Sequence, residues 1–252
     1  MLRRLNRIEG FALQATDGEI GKVQDFYFDD HRWVVRYMVA NTGNWLVGQR
    51  VLISPASLGE PQWDDELLPV NLTCEQIRSS PPIETEQPVS RQKESMLAEY
   101  YGWPMYWTAG YVEPYPRVPA TPAPAQQPAR APREHPDLRS CREVSGYRIH
   151  AEDGEIGHLE DYIVQTSDWG IRYLIVDTRN WLPGRKVLVS PLWIGGVSWP
   201  REELFVKLTR ETLKRAPEYD PQRTLTSEEM QKIEEYYTNN GLPNHGHGRQ
   251  AG

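Results

Sequence analysis

Ala15-Thr16-Asp17-Gly18-Glu19-Ile20-Gly21 returns 136 residues later as Ala151-Glu152-Asp153-Gly154-Glu155-Ile156-Gly157. The register holds outward from this stretch without a gap. Trp33, Arg36 and Tyr37 fall on Trp169, Arg172 and Tyr173, and Asn44-Trp45-Leu46 with Gly48 falls on Asn180-Trp181-Leu182 with Gly184. Val51-Leu52-Ile53-Ser54-Pro55 meets Val187-Leu188-Val189-Ser190-Pro191, Trp63 meets Trp199, and Glu99-Tyr100-Tyr101 meets Glu235-Tyr236-Tyr237. From Ala15 to Pro81 about two-fifths of the positions are identical to their counterparts, the signature of one supersecondary unit used twice. The unit spans residues 2–104 and recurs at 138–240.

Inside each unit the hydrophobic period is mostly two. Ile20 to Phe28 and Trp33 to Ala40 are rich in β-branched and aromatic residues, and Asp29-Asp30-His31-Arg32 between them reads as a hairpin loop. The second copy agrees, with Ile156 to Val164 and Trp169 to Val176 on either side of Gln165-Thr166-Ser167-Asp168. Arg50 to Ile53 predicts a short strand stopped by Ser54-Pro55, because proline cannot continue a ladder. Leu68, Val70 and Leu72 alternate as one buried face, and Leu204, Val206 and Leu208 repeat it. Short helices are expected after the strands: Thr226-Ser227-Glu228-Glu229 is a capping-box pattern, and Ser90 opens the matching segment of the first copy. Residues 105–137 are crowded with proline, from Pro114 to Pro136, and predict an extended spacer, while residues 241–252 are expected to form a loose tail. The expected fold is therefore mainly β, two small barrels in tandem, each followed by short helices and joined by the proline-rich linker.

The D-G-E-I-G turn, the W-x-x-R-Y strand, the N-W-L-x-G loop and the V-L-hydrophobic-S-P strand end resemble the PRC-barrel family. That small β-barrel module occurs in the cytoplasmic part of the photosynthetic reaction-centre H subunit and in the C-terminal domain of the ribosome-maturation factor RimM. The resemblance covers both repeats. It implies a stand-alone double PRC-barrel protein of bacterial type, without the membrane span of the H subunit and without the domain that precedes the barrel in RimM.

Composition narrows the function. A formal net charge of -7 disfavours nucleic acid as a partner, although it leaves room for a local basic patch. The basic N-terminus is not followed by an apolar run, and Trp33 to Ala40 is broken by Arg36 and far shorter than the roughly 20 residues of a spanning helix. These features predict a cytoplasmic chain with no integral membrane segment, peripheral membrane association staying open. Cys74 and Cys141 have neither the number nor the spacing of a disulfide framework or cysteine-ligated metal. Of the histidines His31, His135, His150, His158, His245 and His247, none has a histidine at its counterpart, and His245-Gly246-His247 reads as tail rather than site. No nucleophile elbow, phosphate loop or H-E-x-x-H occurs, so no enzyme activity, cofactor or metal is expected.

The repeat itself sorts the candidates: a residue kept in both copies serves the module, whereas one found in a single copy is free to specialise. Ionisable residues shared by the two copies include Asp17, Glu19, Asp25 and Arg36, with Asp153, Glu155, Asp161 and Arg172. Arginine inside an apolar strand needs a carboxylate for its fork of donors, and a partner from this set is expected. Trp45 and Trp181 either close a barrel end or anchor a partner. Trp103, Tyr106 and Trp107 occur only in the first copy, beside the linker, and either dock a partner or pack back on their own barrel. The leading functional expectation is a non-catalytic adaptor or scaffold that binds other proteins, with self-association through barrel faces as an option. The alternatives are an H-subunit-like component supporting photosynthetic electron transfer at a membrane and a RimM-like RNA- or ribosome-associated factor.

Overall fold

A computed structural model describes residues 1–43, 50–81, 89–108, 138–178 and 185–241. Trp45, Trp181, most of the linker and His245 and His247 lie outside the described residues. The first copy runs β1 (Leu2–Arg4), β2 (Ala12–Ala15), β3 (Gly18–Asp29), β4 (Val34–Asn41), β5 (Arg50–Ile53), β6 (Leu67–Pro69), α1 (Cys74–Arg78) and α2 (Arg91–Tyr101). The second runs β7 (Leu138–Ser140), α3 (Cys141–Val144), β8 (Arg148–Ala151), β9 (Gly154–Gln165), β10 (Gly170–Asp177), β11 (Lys186–Val189), β12 (Ile194–Ser198), β13 (Glu203–Val206), α4 (Arg210–Arg215) and α5 (Ser227–Asn239). The protein is mainly β.

Each copy is organised on its long hairpin. β3 pairs antiparallel with β4, β2 lies antiparallel along β3 and parallel to β6, and β5 flanks β4; β9, β10, β8, β13 and β11 repeat the arrangement. Ile20, Val23, Phe26 and Phe28 of β3 are all buried, and their departure from strict alternation goes with register shifts of β3 against β2 and β4. Gly21 and Gly157 are the positions where only glycine serves. Both have strongly positive φ, and a Cβ would stand 2.1 Å from the Asn41 carbonyl oxygen in one copy and 2.0 Å from that of Asp177 in the other. Both helix starts foreseen in the sequence are present, with the Ser90 side chain accepting from the backbone of Lys93 and Thr226 forming a full capping box with Glu229.

The hairpin loops differ from the sequence expectation in one residue. Trp33 and Trp169 do not begin the strands; each sits in the turn with left-handed backbone, φ 55° and 56°. Side chains seldom adopt that region, at a cost of about 1 kcal/mol or more. Here the indoles are compensated by burial and stacking, Trp33 on Phe28 at 5.0 Å and Trp169 on Phe26 at 5.7 Å between ring centres.

The two copies are not joined through the linker alone. Their strands belong to one hydrogen-bonded sheet, in which the backbone N–H of Val35 donates to the Trp169 carbonyl (2.9 Å) and that of Ile171 to the Trp33 carbonyl (2.8 Å). The first strands are exchanged as well. β1 pairs with β9 of the second copy (Arg3↔Val164), and β7 pairs with β3 of the first (Phe28↔Arg139). The sequence treated residues 2–104 and 138–240 as separate units, whereas the strand register interlocks them and the buried hydrophobic residues of both form one core.

Candidate functional site

The shared ionisable residues hold the architecture together. Asp17 accepts the backbone N–H of Cys74 (2.7 Å) at the start of α1, and Asp153 accepts that of Arg210 (2.7 Å) at the start of α4. The same contact pulls the Asp17 carboxyl below its ordinary range, while burial and the neighbouring Asp17 push the Cys74 thiol up. Glu19 and Glu155 are exposed beside the same turns.

Asp25 and Asp161 clamp the exchanged strands. Asp25 accepts from the Ser140 hydroxyl (2.5 Å), its own neighbour's N–H at Phe26 (2.7 Å) and the Arg142 N–H (3.2 Å). Asp161 accepts from Arg4 Nε (2.9 Å) and from the Asn6 N–H (3.2 Å). Ser140 and Arg142 are the counterparts of Arg4 and Asn6, so each copy's aspartate grips the start of the other copy. Burial raises the pKa of both aspartates and outweighs the hydrogen bonds that favour their ionised forms.

The arginines find carboxylates that the sequence comparison did not select. Arg36 is 6% exposed and pairs with Asp29 (3.2 Å), while Arg172 pairs with Asp168. Asp29 aligns with Gln165 and Asp168 with Arg32, so the two copies solve one burial problem with acids at inequivalent positions. The expectation of a partner within the shared set is corrected accordingly, since Asp17, Asp25, Asp153 and Asp161 are engaged elsewhere. The tyrosine beside each arginine follows the same logic. Tyr37 meets Glu94 on α2, and Tyr173 donates to Glu234 on α5 (3.4 Å), yet Glu94 aligns with Met230.

The aromatic segment after α2 packs on its own repeat. Trp103 and Tyr106 are buried and Trp107 is partly covered. The Trp103 indole N–H donates to the Ser57 hydroxyl (2.8 Å) and its ring stacks on Tyr101 at 4.2 Å. In the second copy Trp193 stands at the position of Ser57 and lies 4.0 Å from Tyr237, the counterpart of Tyr101, while Asn239 stands at the position of Trp103. Each repeat thus receives one indole against this tyrosine, supplied from different stretches of the chain. Packing, rather than an exposed docking strip, accounts for Trp103 and Tyr106.

Tyr106 closes a buried polar network that sequence reasoning missed. Its hydroxyl donates to Glu94 (2.5 Å), Arg91 pairs with the other oxygen of Glu94 (3.0 Å), and the Arg36 guanidinium lies 4.0 Å from the Tyr106 ring centre. Glu94 is 2% exposed, and its burial outweighs these favourable contacts and pushes the carboxyl up to about 7. The network borders a cleft of about 470 Å³ where the repeats meet, walled by Arg36, Tyr37, Trp103 and Tyr106 of the first copy and by Asp168 and Trp169 of the second. Its charged groups are largely matched within the protein. The signal in the sequence was Glu94 on the same helix face as Leu97 and Ala98, an acid at an apolar position.

Among the described residues, no group of three or more His, Cys, Asp or Glu side chains is placed to hold a metal ion, and no helix is long and apolar enough to cross a membrane. Comparison with protein-family models finds no match, and comparison with curated proteins finds none either.

Proposed function

We propose that this chain is a non-catalytic scaffold built from two PRC-barrel-type modules, interlocked so that they present related surfaces to protein partners at a fixed spacing. The observation that carries the reading is the reciprocal clamp of Asp25 and Asp161. Asp17 and Asp153, Asp25 and Asp161, and Arg36 and Arg172, kept in both copies, are spent on caps, strand exchange and ion pairs, which is what a rigid platform requires and what a catalytic constellation would not spare. The resemblance of the D-G-E-I-G, W-x-x-R-Y and N-W-L-x-G motifs to PRC-barrels supports the module type.

The test is affinity purification of the full chain from its native cells after mild cross-linking, with the linked residues mapped by mass spectrometry. A scaffold gives a protein partner in defined stoichiometry, linked to residues of both repeats. Links confined to one repeat, or the absence of any stoichiometric partner, would overturn the proposal.

A further inference from the structure

A second cleft, of about 500 Å³, opens between β1 of the first repeat and residues 219–225 of the second. That size lies within the range of small-molecule sites, roughly 300–1,000 Å³. Its lining carries Arg3, Arg4, Arg7 and Arg223 and no carboxylate, in a chain whose formal net charge is -7. Arg4 is neutralised by Asp161 (2.9 Å), and exposed Arg223 lies 3.5 Å from Glu229. Arg3 and Arg7 meet no carboxylate among the described residues. Arg3 is fixed in place nonetheless: its guanidinium lies 4.7 Å from the Trp63 ring centre, Nη1 donates to the Thr224 hydroxyl (3.0 Å), and buried Nε has no hydrogen-bond partner among the described residues. Burial without a counter-ion pulls its pKa below the usual value.

The second repeat serves as the internal control. There Arg139 lies 4.2 Å from the Trp199 ring centre, the same arginine-on-tryptophan platform, but it pairs with Asp30 at 3.3 Å. The counterpart of Asp30 is Thr166, two residues beyond Val164, the strand partner of Arg3, just as Asp30 lies two beyond Phe28, the partner of Arg139; the counterparts of Arg4 and Arg7 are Ser140 and Glu143. The platform belongs to the module; the loss of its acid and the gain of two cations belong to one copy. An arginine steadied by a ring and a hydroxyl, and without the carboxylate its counterpart has, is prepared for an anion from outside, and guanidinium forks match the several oxygens of a phosphate better than a single point charge does.

We propose that this cleft binds a soluble phosphorylated small molecule, with Arg3 and Arg7 on the phosphate oxygens and the organic part along the wall formed by Leu2, Ile163, Tyr219 and Leu225. The assignment is independent of the scaffold reading, since it concerns a ligand rather than a protein partner. Calorimetric titration of the full chain at low salt with ADP, with pyrophosphate and with phosphatidylcholine vesicles containing phosphatidylglycerol tests it. ADP or pyrophosphate should bind, more weakly as salt rises. Affinity should fall at least about tenfold in Arg7→Glu, with thermal melting unchanged, and at least about tenfold in Thr166→Asp, the loss expected for one charge-assisted contact. Arg7 is exposed, so Arg7→Glu remains informative even where Thr166→Asp disturbs the fold. No heat from either soluble probe at millimolar concentration, equal affinity in Arg7→Glu, or binding to vesicles alone would overturn the proposal.

Discussion

Asp25 and Asp161 occupy equivalent positions with unlike partners, and substituting each by asparagine separates charge from shape inside one molecule. Asn keeps an acceptor oxygen and nearly the same volume. At position 25 the donors are a hydroxyl and two backbone N–H groups, and the Ser140 hydroxyl is able to turn and accept from the new amide. Asp25→Asn should therefore cost about 0.5–1.5 kcal/mol, the worth of an ordinary hydrogen bond. At position 161 one donor is the Arg4 guanidinium, whose remaining carboxylate, Glu160, lies 3.7 Å away. Asp161→Asn removes a charge-assisted bond of about 1.5–3 kcal/mol and leaves a half-buried cation poorly matched. The expected gap is about 1–2 kcal/mol. Urea denaturation of the two variants, read as midpoints at unchanged slope, measures it; for a chain of this size it corresponds to about 2–8 °C in Tm. Equal costs, or a larger cost at Asp25, would refute the view that the two clamps differ by the charge of what they hold.

Glu94 predicts a pH dependence. Its folded pKa, about 7, stands above the ordinary 4.5, so its contribution is full at pH below 4.5 and is lost as pH rises through 7. Between pH 4 and pH 9 the wild type should lose on the order of 3 kcal/mol relative to Glu94→Gln, and parallel stability profiles from denaturant melts would exclude this. Trp103→Ser should cost about 3–5 kcal/mol, as for other large buried aromatics, and adding Ser57→Trp should restore part of it by imitating the second repeat; calorimetric melting of the single and double variants decides. Cleavage of the chain between residues 109 and 137 should leave the halves associated on size-exclusion chromatography, because β1 and β7 stay exchanged; two separately eluting folded halves would show that the exchange is dispensable.

Local pattern made the strands legible. Runs rich in β-branched and aromatic residues set the hairpins, Ser54-Pro55 ended β5 at Ile53 as expected, and the capping box at Thr226 opened α5. What local pattern could not carry was partner choice. β1 is three residues long and suits the edge of either hairpin, and nothing within Leu2–Arg4 says that its partner lies in the other copy. The shared acids were found because they repeat. Asp29, Asp168, Glu94 and Glu234 were missed for the complementary reason: the copies meet the same arginine and tyrosine with acids that do not align, and a search for common positions discards them. The aromatic segment looked specialised for a similar reason, since the indole missing from Ser57 was replaced by Trp103 from a distant stretch.

The exchange of first strands also orders events in time. As the chain leaves the ribosome, β1 emerges long before β9, the strand it pairs with, and the edge of β3 that takes β7 stays unpaired until Leu138–Ser140 follows. An open edge is a template for any passing strand, so the first repeat is exposed to mispairing throughout synthesis of the linker. Its closest competitor is the matching strand of a second nascent chain, which carries the same Leu2–Arg4 sequence. The length of the linker thus sets how long the half-made protein must wait for its own second half.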